Sequence, residues 1–146
     1  MTVFDEINCF QYLFLSQIVE LSDNELLVRI TEAKVSEKEE RAIIGTTDLG
    51  KSNRILIDKS SKVYEIHFDS YVAYSVVNES YSVFHEYEER IGRLFCIYSK
   101  SNYLDYILKE TIVDFIHTCE LKHYGINCLN HTINIVSLEE PIIKQI

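Results

Sequence analysis

The sequence predicts a mainly β fold: an antiparallel two-layer sandwich or partly open barrel of eight or nine strands, with one clear short helix. An α+β arrangement is the alternative. Three observations carry this. The stretch Tyr64–Tyr81, YEIHFDSYVAYSVVNESY, is the longest run of β-type composition and holds five aromatic residues. A turn signal, Ser22-Asp23-Asn24, separates two apolar arms. Short apolar runs then alternate with turn residues through much of the second half of the chain.

Taken in order, residues before Cys9 suit a short helix. Phe10–Glu20 and Glu25–Lys34 read as a β-hairpin, because Leu26, Val28 and Ile30 alternate across a short connection. Val35 to Lys51 carries a charged run and Gly45-Thr46-Thr47, and reads as a loop. Arg54–Asp58 is a short strand. In the central stretch, Tyr64, Ile66, Phe68, Val72, Tyr74 and Val76 share one parity, which predicts a buried face with Tyr74 largely inside. Asp69-Ser70 predicts either a break into two strands or a bulge. Ser82–Ile91 is polar and reads as surface. Gly92 punctuates, and Arg93–Tyr98 is a strand. Ser101 is placed to cap a helix over Ser101–Leu108, with Leu104, Ile107 and Leu108 as its apolar stripe. Strands follow at Thr111–Cys119, Lys122–Leu129 and Thr132–Ser137, with a tight turn at Asn130-His131. Pro141 is expected to end the last element.

At 146 residues the chain is the size of one domain, 1–146, and 47% apolar composition is ordinary for a globular chain. The opening MTVFDEIN has acid where an export signal needs base, and no apolar run approaches the roughly 20 residues that span a bilayer. The cytoplasm is the expected compartment. Net charge is −9, concentrated up to Gly50, where 4 basic residues face 10 acidic ones. With no basic stripe, neither nucleic acid nor an anionic membrane is expected as a partner. A basic protein or a small ligand is, while the oligomeric state stays open. The four cysteines, Cys9, Cys96, Cys119 and Cys128, are expected as reduced thiols.

The segments NCFQYLFLS, YEIHFDSYVAYSVVNESY, GRLFCIYSKSNYLDYI and KHYGINCLNHTINIVSLEEP, the most specific pieces being YVAYSVVNESY, YSKSNYLDY and HYGI, resemble a family of small uncharacterised single-domain bacterial proteins. The resemblance implies a bacterial source and one domain. It carries over no catalytic residue.

Three constellations compete for function. His117, Cys119, His123, Cys128 and His131 have metal-ligand types, but the paired Cys-x-x-Cys spacing of structural zinc is missing, so no metal or other cofactor is expected. A small hydrolase with a tyrosine-lined polar site would use Ser80 or Ser101 as nucleophile, His123 or His67 as base, and Asp69 or Glu79 as orienter, with Cys128 and His123 as the thiol version. No Gly-x-Ser-x-Gly elbow supports it. The third set is a polar and aromatic rim at strand ends: Asn78, Glu79, Ser80, Lys100, Ser101, His123 and Tyr124, with Tyr71, Tyr74, Tyr81, Tyr103 and Tyr106 beside them. Glu79 and Lys100 are expected to meet within about 4 Å or through Ser101 or His123. On these grounds the expected function is non-catalytic: a cytoplasmic interaction protein binding a protein partner or small ligand, of which an immunity-type protein is one form.

Overall fold

A computed structural model describes residues 1–111 and 121–146. Two five-stranded antiparallel sheets face each other as a β sandwich, with no closed barrel and one clear helix outside it. The first sheet runs β1 (Tyr12–Glu20), β2 (Leu26–Ile44), β4 (Val63–Phe68) and β10 (Ile142–Gln145), with β3 (Thr47–Leu56) paired to the far half of β2. The second runs β5 (Tyr71–Asn78), β9 (His131–Ser137), β8 (Lys122–Cys128), β7 (Phe95–Lys100) and β6 (Glu89–Ile91). The helices are α1 (Val3–Asn8) and α2 (Asn102–Glu110).

Alternation places the core. Leu26, Val28 and Ile30 of β2 and Tyr64, Ile66 and Phe68 of β4 turn inward from the first sheet. Tyr124 and Ile126 of β8 and Ile133 and Ile135 of β9 meet them from the second. Phe68 and Tyr124 join the layers edge to face, with ring centres 5.5 Å apart.

Helix α1 closes one end, held by Asn8. The Asn8 Oδ1 accepts from the backbone N–H of Arg93, Leu94 and Phe95 at 2.8–3.1 Å, and its Nδ2 donates to the Phe95 carbonyl at 2.9 Å. This one side chain thus satisfies groups that a neighbouring strand would otherwise pair. Gly92 makes the approach feasible: its φ is +90°, and a Cβ there would lie 2.0 Å from the Phe95 carbonyl oxygen.

Several expectations meet the structure closely. The hairpin β1–β2 turns at Asp23 and Asn24, both left-handed (φ 57° and 63°), as a tight hairpin connection requires. Asp69-Ser70 does break the central stretch, sending β4 to one sheet and β5 to the other.

Others are corrected. The expected loop Val35 to Lys51 is a β-arm, β2 continuing to Ile44 and returning as β3 through Gly45-Thr46. Nearly all of the arm is exposed on both faces, so its strands carry no inward stripe for alternation to reveal. Pro141 precedes a strand rather than ending the last element. Ten strands occur among the described residues instead of eight or nine. Tyr74 is half-buried, at the margin of the core against Tyr71. Val72 faces outward toward α2, because a register shift between Tyr71 and Ala73 swaps the faces. Most of the expected strand Thr111–Cys119 lies outside the described residues.

Candidate functional site

The outer face of the second sheet is covered in two ways. One part lies under α2, where Ile107 is buried against Val136 with Val72, Leu104 and Leu108 around it. The other lies under a strap, 79–88, which leaves β5 through a short 3-10 turn (Glu79–Tyr81), crosses the sheet without regular structure and enters β6.

His123 sits at the seam. It projects outward from β8 and is 1% exposed. The Tyr98 ring stacks on its imidazole at 4.1 Å, nearly parallel, and Tyr103 of α2 closes in at 5.3 Å. Tyr98, opposite His123 in register, can lie flat because the ring extends over Gly125, two positions along β8: a Cβ at Gly125 would sit 2.9 Å from the Tyr98 ring.

Both imidazole nitrogens are occupied. The Ser101 Oγ is 2.7 Å from Nδ1, and the Asn134 Oδ1 of β9 is 2.8 Å from Nε2. Ser101 also accepts the Leu104 backbone N–H at 3.0 Å, so it caps α2. One proton arrangement satisfies all of this. Nε2 carries the hydrogen and donates to Asn134, while the Ser101 hydroxyl donates to a bare Nδ1. The ring is therefore neutral, and burial pushes its pKa down from 6.5 to about 4, against a partly compensating hydrogen bond to Asn134.

Beneath the strap lie two adjoining clefts of about 420 and 280 Å3. Tyr98, Thr132, His123 and Asn134 form much of the floor, and Val83 and His85 roof it. The strap is tied at both ends. The hydroxyls of Ser82 and Thr132 are 2.9 Å apart, the Glu88 carboxylate accepts the Asn102 N–H at 3.2 Å, and the Tyr87 hydroxyl donates to Asp105. Its apolar residues stay largely exposed even where they edge the clefts: Tyr81, just before the first tie, is 78% exposed, and Val83 and Phe84, between the ties, 68% and 81%.

The rim residues therefore scatter in part. Tyr81, Tyr103 and His123 line the larger cleft, Glu79 lines the smaller, and Ser101 lies buried beneath. Asn78 accepts the Ser80 N–H and so shapes the strap's first turn. Tyr124 is no rim residue, being 1% exposed between Phe68 and Phe95 in the core. Tyr71 and Tyr74 sit on the inter-sheet side, with the Tyr71 hydroxyl donating to Glu20. The expected meeting of Glu79 and Lys100 does not occur. β5 and β7 run in opposite directions across β9 and β8, so the residues that follow them leave opposite ends of the sheet. Lys100 instead lies 4.3 Å over the Tyr87 ring.

Of the metal-type residues, Cys128 and His131 are register partners across the tight turn, while His123 lies on the opposite face. Cys128 faces the core, where burial pushes its thiol up to about 12. His117 and Cys119 lie outside the described residues. Alternation did not single out Asn134, Thr132, Val83 or Phe84. Asn134 alone left a signal, as a polar residue inside the apolar run Ile133–Val136.

No family model, no curated protein and no solved structure matches the chain. Among the described residues, no helix is long and apolar enough to cross a membrane.

Proposed function

We propose that this is a non-catalytic binding protein that docks a basic protein partner on the strap 79–88. The exposure of Tyr81, Val83 and Phe84 carries this reading. Scattered apolar residues are normal on a surface, but three within four positions, on a segment tied at both ends, form a patch of the kind partners bury. Glu79, Glu86 and Glu89 are exposed around it, and Glu88 is partly so. Such an acidic rim favours basic partners and speeds their encounter. Action in the cytoplasm and an immunity-type role against a basic toxin domain belong to the same reading; they rest on the acidity and on the resemblance to small bacterial proteins.

The test uses the purified chain as bait beside a Phe84→Asp variant. A genuine partner is captured by the first, lost with the second, basic in its own charge, and slower to associate as salt rises. Capture of the same proteins by both baits, or a partner indifferent to salt, sinks the proposal.

A small hydrolase is the second reading, favoured by the Ser101–His123 distance of 2.7 Å. Ser101 has no exposure, however, and its oxygen is engaged in capping α2, so no substrate carbonyl can reach it in this geometry. An ester-hydrolysis assay on the wild type and Ser101→Ala separates the readings, since only a hydrolase loses turnover.

A further inference from the structure

On the outer face of the first sheet, away from the strap, three side chains converge that the binding role does not use. His67 is on β4, between Leu27 of β2 and Ile142 of β10. Glu25 immediately precedes β2, and Asp69 immediately follows β4. The His67 Nε2 is 3.1 Å from the Glu25 Oε2, and one ligand atom from each of the three lies within 4.8 Å of the others.

We propose that Glu25, His67 and Asp69 form a site for a divalent transition-metal ion, Zn2+ being the best match. An imidazole nitrogen with two carboxylate oxygens suits a borderline ion better than Mg2+ or Ca2+, which prefer oxygen alone. The two carboxylates neutralise a dication, and an imidazole nitrogen of His67 supplies the third ligand. Tetrahedral Zn2+ with bonds near 2.1 Å needs ligand atoms roughly 3.4 Å apart. The Glu25–His67 pair is already that close. Asp69 is exposed and makes no hydrogen bond or ion pair among the described residues, so its side chain is free to swing the remaining distance.

Two ligands have firm supports. His67 is flanked by paired strands on both sides, and Glu25 is fixed by reciprocal backbone bonds, its N–H to Ser22 and its carbonyl to the Leu21 N–H. Three protein ligands leave a fourth position for water or for a side chain of another molecule. The ion would also staple the hairpin turn at Glu25 to Asp69-Ser70, where the chain passes from one sheet to the other.

The test titrates Zn2+ into the full chain, freed of any purification tag, against a competing colorimetric chelator. His67→Gln and Asp69→Asn are titrated in parallel, and Mg2+ serves as the contrasting ion. Two measurements accompany each: the thermal midpoint, and the NMR shifts of the histidine ring nitrogens. The expected result is one equivalent of Zn2+ bound by the wild type and missing in His67→Gln, at least tenfold weaker in Asp69→Asn, with the His67 ring resonances moving. Zn2+ should raise the midpoint of the wild type and not of His67→Gln. Equal stoichiometry and affinity in all three proteins overturns the proposal, as does a wild type that binds no Zn2+. Asp69 is exposed, so Asp69→Asn remains informative even where His67→Gln folds poorly.

Discussion

The two coverings of the second sheet use similar material to opposite ends. Under α2, each polar group at the seam is spent internally: Ser101 on a helix cap, His123 on Ser101 and Asn134, with Val136 and Ile107 sealing the apolar remainder. On the strap, polar ties hold Ser82, Tyr87 and Glu88, and the apolar Tyr81, Val83 and Phe84 remain largely exposed. The α2 side stabilises the fold and offers little to a partner. The strap side leaves exposed the apolar surface on which the proposed docking rests. Where apolar side chains point therefore separates the packed side of the sheet from the exposed one better than residue type does.

That contrast can be broken at three points. The largest effect is expected from His123→Ala, which removes a stacked ring and strands the Ser101 and Asn134 groups; we expect a loss of about 3–4 kcal/mol in urea melts. A loss below about 1 kcal/mol would mean the seam is looser than its geometry implies. Acid comes next. The His123 pKa lies near 4 in the fold against 6.5 when unfolded. Between these values the unfolded chain binds more protons, so this contribution is intact above pH 6.5 and drains away as pH falls toward 4. The shift corresponds to about 3 kcal/mol. It is read as the difference in pH dependence between the wild type and His123→Gln, and parallel curves would place the titration elsewhere. The smallest effect belongs to the strap. Phe84→Ser should change stability by less than about 0.5 kcal/mol while abolishing capture of the partner. A large loss of stability would make Phe84 a packing residue and erase the contrast.

The sequence made the sandwich legible wherever a strand has one wet face. Alternation located Val28, Ile30, Tyr64 and Ile66, and the Ser101 cap marked α2. It was silent where both faces are alike. The β-arm is exposed on both sides and read as a loop. The face swap at Tyr71–Ala73 turned Val72 away from its parity mates, since a bulge leaves no mark in a residue pattern. The site was half legible. Ser101 and His123 stood out as residue types, but Asn134, only 11 positions from His123 across the β8–β9 hairpin, comes to light only when the outward parity of β8 is followed around the turn. Glu79 and Lys100 failed as a pair for a longer-range reason: the directions of β5 and β7 are set by the whole sheet.

The bond from the Phe95 N–H to the Asn8 side chain spans 87 positions of sequence. On a ribosome adding roughly 5–20 residues per second, α1 emerges some 4–17 s before the backbone it is built to hold. Through that interval Phe4 and Ile7 lack the second sheet they pack against, while the β1–β2 hairpin, local in sequence, has all its material to hand. A nascent chain halted short of Gly92 would thus display an unclosed end and the uncovered apolar face of α1, a form suited to chaperone capture. Even once Phe95 has emerged, β8 and β9, which carry the inner face of the second sheet, are still to follow.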